Sequence, residues 1–201
     1  MCGGDKLTRL AVADVVGHGE AVSRYSQMIY DEMVKRMGDM QGDELLADVN
    51  RIASGHGVRA MATAALVAFS TVSNQLYFSY AGHPPAMIKR HADAHWQPAP
   101  LPAVQGRVAN VPLAVAPDAT FDQQSAALCS GDRVFICTDG VLEAPSEQDG
   151  LFGVDRLTAV LDAHAADELP MLKRAVLDEV RSHTGGPLTH DDVTFMAVEV
   201  R

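Results

Sequence analysis

Little in this chain points to the cell exterior or to a membrane. Only three cysteines occur (Cys2, Cys129 and Cys137), too few and too unevenly spaced for a disulfide framework or a zinc site. The apolar stretches are strand-sized, well short of the roughly 20 residues that cross a bilayer. Met1-Cys2-Gly3-Gly4 has neither the basic start nor the apolar run of a secretory signal. A cytoplasmic location without membrane association is therefore expected. Basic clusters are also missing. Lys89-Arg90 and Lys173-Arg174 are isolated pairs in a chain of formal charge -10, so nucleic acid is not an expected partner.

What is present suits one domain over 1–201. Hydrophobic residues form 47% of the chain and charged residues 21%, enough apolar material for a core and too little charge for disorder. No repeat, low-complexity tract or domain boundary is visible.

Residues 7–13 are mostly apolar, read as a strand, and end at Asp14. After Gly17-His18-Gly19, the residues Val22, Tyr25, Ile29 and Met33 recur at helical steps and predict a helix over 20–37. Leu45, Leu46, Val49 and Ile52 predict a second over 43–54. Strands are expected over 61–71 and 75–81, joined by Val72-Ser73-Asn74, then over 86–90, 111–115, 122–128 and 133–138. Residues 91–102, broken by His, Pro and Trp, read as a loop. Helices over 154–163 and 167–183 follow, the second N-capped by Asp167, and a strand over 193–200 ends the chain. This order predicts an α+β fold of antiparallel sheets with helices packed outside.

Three acidic positions share one setting. Asp14 ends an apolar strand, Asp139 ends another and precedes Gly140, and Asp191-Asp192 precede the last. Hard cations such as Mg²⁺ and Mn²⁺ prefer carboxylate, carbonyl and water oxygens, and adjacent glycines let backbone oxygens approach an ion. Taken singly, Asp139-Gly140 is first a turn signal and Asp191-Asp192 a solvated entry to a strand. Together they suggest a metal site.

The ordered set Ala13-Asp14-Val15-Val16-Gly17-His18-Gly19, Tyr80-Ala81-Gly82-His83-Pro84-Pro85, Gly131-Asp132-Arg133-Val134, Cys137-Thr138-Asp139-Gly140-Val141-Leu142-Glu143-Ala144, Phe152-Gly153 and His190-Asp191-Asp192-Val193-Thr194 resembles the protein phosphatase 2C-like (PPM) family, and within it the bacterial SpoIIE/RsbU branch. The resemblance implies a central antiparallel β-sandwich flanked by helix pairs. It also implies two Mn²⁺ or Mg²⁺ ions and hydrolysis of phosphoserine or phosphothreonine proteins by a metal-activated water. On this basis Asp14 bridges the ions with the Val15 carbonyl as a further ligand. Asp139 and Asp191 bind one ion, and Asp192 is the lesser candidate of its pair. His18 is the expected proton donor to the leaving oxygen, whereas His83 has a structural role. The implied partner is a phosphorylated regulatory protein, in related systems an anti-sigma-factor antagonist. The helices over 20–37 and 43–54 read first as packing on a sheet, and they are also where an upstream sensor domain or dimer partner would act.

One departure stands out. The branch carries an early Gly-Gly-Asp on a preceding strand, yet Asp5 lies only nine residues before Asp14. Gly3-Gly4-Asp5-Lys6 therefore reads as a hairpin turn, the first family strand is expected to be missing, and one ion is expected to be held poorly. A haloacid-dehalogenase-type site is excluded because Cys137 stands where its nucleophilic Asp would be. A His-Asp phosphohydrolase is excluded because His190-Asp191 opens a strand, not a helix. A phosphate-binding loop fails because no Gly-Lys-Ser/Thr follows its glycines. The rival from another class is a catalytically weak, phosphatase-shaped binding module.

Overall fold

The structure, a computed structural model, describes residues 2–4, 6–17, 19–101, 110–188 and 191–201. The chain falls into two units, Met1–Pro85 with Pro100–Ala127, and Ala86–Ala99 with Leu128–Arg201. In each, a fully antiparallel sheet is accompanied by a pair of helices, as an α+β fold requires.

The first unit holds β1 (Cys2–Gly4), β2 (Leu7–Val15), α1 (Glu20–Lys35), α2 (Gly42–Ser54), a short 3-10 helix (Gly57–Ala60), β3 (Ala62–Ser70) and β4 (Gln75–Ala81). Its sheet runs in the order β1-β2-β3-β4 and is completed by a later strand, Gln123–Ala127. The helical stripes read from sequence face the core. Ile29, Met33, Leu45 and Val49 are buried against Ala62, Ala64 and Leu66, alternate residues of β3. Glu20 in the first turn of α1 and Lys35 in its last turn complement the helix dipole.

The second unit contains β5 (Met87–Lys89) and β6 (Gln97–Pro98); Gln123–Ala127 of the first unit is β7. Next come β8 (Arg133–Cys137), the four-residue helix α3 (Asp139–Leu142), the hairpin β9 (Pro145–Ser146) and β10 (Gly150–Leu151), α4 (Gly153–Ala163), α5 (Leu169–Thr184) and β11 (Phe195–Glu199). The main sheet is ordered β11-β8-β5-β6. Phe135 and Cys137 on one face of β8 share a core with Leu157 and Leu161 of α4 and with Val176 and Val180 of α5.

Several expectations need correction. Residues 111–115 make only an isolated bridge between Leu113 and Ala62. Pro112 has no amide to donate, and Ala114 sits at φ 63, which no strand allows. Asn50 holds the segment from α2, accepting the Ala114 amide and donating to the Ala116 carbonyl, both at 2.9 Å. The segment 91–102 is not all loop. Gln97 and Pro98 pair with β5 on an edge, where a proline is tolerated. Helix α5 is preceded by Glu168, not capped by Asp167, whose carboxylate meets His164 Nδ1 at 2.7 Å. Gly3 and Gly4 lie in β1, paired with Thr8 and Leu7, so these glycines belong to a short first strand instead of to a turn. Asp5 lies outside the described residues.

Candidate functional site

Asp14 lies inside β2, one residue before its end, and pairs with Thr63 of β3 in antiparallel register. Directly opposed residues project to the same face, so the two side chains are neighbours. Thr63 Oγ1 is buried and has no hydrogen-bond partner among the described residues. Val15 is buried and pairs with Ala62, and the next amide, that of Val16, donates to Met61 at 2.9 Å. These bonds fix the strand up to the point where the loop begins. Gly17 at φ 110 and Gly19 at φ 94 then turn the chain into α1, a conformation few other residues adopt. His18 lies outside the described residues.

In the second unit β8 stops at Cys137, and Asp139 opens α3 instead of ending the strand. The structure brings Asp139 and the pair Asp191-Asp192 together. A methyl group on Gly140 would lie 2.4 Å from the Asp192 carbonyl oxygen and 3.5 Å from Asp191 Cβ, so the two backbones touch. The ladder of β11 begins only at Phe195, so both aspartates precede it in an exposed segment. Asp191 Oδ1 accepts the Asp192 amide at 2.8 Å. Thr138, 3% exposed, inserts its hydroxyl between the carbonyls of Asp192 and Thr194 at 3.1 and 3.3 Å. His190 lies outside the described residues. Within neither unit do three or more His, Cys, Asp or Glu side chains of the described residues gather as a metal cluster.

Asp139 Oδ1 is buried and accepts no hydrogen bond among the described residues. An acceptor shielded from water without a donor is costly, and a cation is a natural partner for it. The donor set of Asp139 and Asp191, all oxygen, suits Mg²⁺ or Mn²⁺. Cys137 is not a nucleophile. Burial, and secondarily the charge of Asp139, push its thiol up to about 12.

The remaining motifs make contacts within their own units. His83 is buried, with Nδ1 2.8 Å from the Pro84 carbonyl oxygen. Gly82 sits at φ 65, where a Cβ would meet Pro112 at 2.4 Å. Asp132 is buried and accepts the amides of His91 at 2.7 Å and Cys129 at 2.9 Å, and Arg90 Nη1 at 3.0 Å. Sequence reasoning assigned nothing to Thr138 or Thr63. A threonine before Asp-Gly reads as a local cap, and one inside an apolar strand as filler.

A family model described as Stage II sporulation protein E (SpoIIE) matches residues 4–201. Protein IcfG of Synechocystis sp. (strain ATCC 27184 / PCC 6803 / Kazusa) is 25% identical over 225 residues, covering 97% of this chain and 34% of its own, so the chain spans about a third of that relative. The solved RsbU and RsbW domains of Rv1364c from Mycobacterium tuberculosis are 25% identical with a TM-score of 0.79, over 98% of this chain and 52% of that one. RsbX in complex with magnesium is 18% identical with a TM-score of 0.69, over 98% and 83%. Solved neighbours also include the PP2C domain of SiaA from Pseudomonas aeruginosa and the PP2C phosphatase domain of SpoIIE from Bacillus subtilis, each 18% identical.

Proposed function

Because the chain belongs to the SpoIIE family, whose solved neighbours are PP2C-type phosphatases, we propose that it is a metal-dependent phosphoprotein phosphatase acting on phosphoserine or phosphothreonine of a regulatory protein. The observation that carries this reading is the buried, unpartnered Asp139 Oδ1 packed beside Asp191-Asp192. Asp14 with the Val15 carbonyl, and Asp139 with Asp191, are the residues we assign to hold Mn²⁺ or Mg²⁺. Asp192 contributes mainly its backbone, since its carbonyl accepts from Thr138 and its amide orients Asp191. Divalent ions bound there would lower the pKa of a water and screen phosphoryl charge. The loop from Gly17 to Gly19 orients the phosphate, and His18 delivers a proton to the departing seryl or threonyl oxygen. The Cys137 thiol beside Asp139 takes no part, because burial keeps it protonated. An anti-sigma-factor antagonist is the class of substrate we favour, and we place the reaction in the cytoplasm. Among the described residues no helix is long and apolar enough to cross a membrane.

Hydrolysis of p-nitrophenyl phosphate in manganese tests the reading. Turnover lost on chelation and in Asp14→Ala supports the enzyme. A folded chain that binds a phosphoprotein without turnover replaces it with the weak binding module.

A further inference from the structure

Thr138 stands at the N-cap of α3, where a threonine ordinarily lends its oxygen to the amides of the first turn. It makes no such bond. Its hydroxyl turns across the sheet, where the carbonyl oxygens of Asp192 and Thr194 lie within reach and the Thr194 amide donates to it at 3.2 Å. Its own amide donates to the Thr194 carbonyl at 2.9 Å. A hydroxyl has one proton and two lone pairs, and here the proton and one lone pair go to the segment that carries the aspartates.

The consequences run both ways along the chain. Asp139 is the covalent neighbour of Thr138, with Oδ1 buried and unpartnered. Across the gap, Asp192, whose carbonyl accepts from the hydroxyl, donates its own amide to Asp191 Oδ1. One buried hydroxyl thus ties the backbone beside one carboxylate to the residue whose amide orients the other. Resting on the metal-phosphatase reading, we propose that Thr138 is the positioning residue of the Asp139–Asp191 pair, holding the two carboxylates at the separation one divalent ion requires. A role confined to fold stability makes a different demand: it needs the bonds to Thr194 and is indifferent to metal.

Calorimetric titration of the full chain with Mn²⁺ separates these roles, with Thr138→Val and Thr138→Ser measured well below their melting temperatures. Hydrogen exchange of the Thr194 amide without metal reports the clamp directly. Thr138→Val is expected to weaken Mn²⁺ binding by about tenfold, as the loss of an orienting partner does, while Thr138→Ser stays within about twofold. The Thr194 amide should exchange faster in the valine variant only. Thr138→Ala is read in place of valine if that variant does not fold. Unchanged Mn²⁺ affinity in a folded, destabilised Thr138→Val overturns the proposal and leaves the phosphatase reading intact. Absence of Mn²⁺ uptake by the unmodified chain overturns both.

Discussion

Gly140 and Asp192 meet backbone to backbone, with only 2.4 Å between the Asp192 carbonyl oxygen and the place a Cβ on Gly140 would occupy. Neither partner is the flexible end of a side chain, so a methyl group there must move the acidic segment. Gly140→Ala is expected to destabilise the chain by about 1–3 kcal/mol through overpacking. It should also lower manganese-dependent turnover by about tenfold or more through displacement of Asp191. Urea unfolding and phosphatase assays check both, and an alanine variant with normal turnover contradicts the assignment of Asp191.

Asp132 governs acid stability in the second unit. Its burial disfavours the charge, but the amides of Cys129 and His91 and the Arg90 guanidinium outweigh burial and hold the carboxyl below its ordinary value. A group depressed on folding contributes stability that is complete above its unfolded pKa, about 3.9, and is lost as pH falls through the folded value. Asp132→Asn should cost about 2 kcal/mol at pH 7. Its unfolding free energy should also fall less steeply than wild type when the pH drops below about 4. Parallel slopes in urea titrations from pH 7 to pH 3 refute this.

Arg9 is expected to destabilise. The guanidinium is fully buried in β2, and none of its nitrogens has a hydrogen-bond partner among the described residues. Burial lowers its pKa, Asp39 opposes that shift, and Arg36 adds to it. Arg36 takes Asp39 for itself at 2.7 Å. An apolar residue of similar length removes the uncompensated charge, so Arg9→Met should gain about 2 kcal/mol in urea unfolding. A loss of stability contradicts this.

Thiol reagents discriminate the cysteines that the structure places. Cys129 is exposed, while Cys137 is buried with its thiol raised to about 12. Iodoacetamide at pH 8 should modify Cys129 in the native chain and spare Cys137, as read by peptide mass spectrometry. Labelling of native Cys137 at the rate of Cys129 contradicts the burial.

The parts of the fold legible in the sequence are those set by local period. Val22, Tyr25, Ile29 and Met33 mark α1 because each is one turn from the next, and Leu172, Val176 and Val180 mark α5 in the same way; these last three are fully buried. The segment 111–115 misled because it is a short apolar run, of which only Leu113 and Ala114 are buried while Val115 is exposed. What prevents a strand is backbone: the missing amide of Pro112 and the left-handed Ala114. Asp14 and Asp139 were visible as acids at the ends of apolar runs, each followed within three residues by a glycine, and the ordered motifs raised them above ordinary turn residues. Thr138 was not visible. Its partners lie more than fifty residues away, and nothing in its neighbours announces that its hydroxyl leaves the cap to bind Asp192 and Thr194.

The central claim is that Asp14, Asp139 and Asp191 hold divalent ions. Equilibrium dialysis against Mn²⁺, with metal counted per folded chain, tests it most directly. The account predicts uptake of Mn²⁺ by the unmodified chain and a lower metal content in both Asp14→Asn and Asp139→Asn. Equal metal content in all three proteins, or none in the unmodified chain, would contradict it.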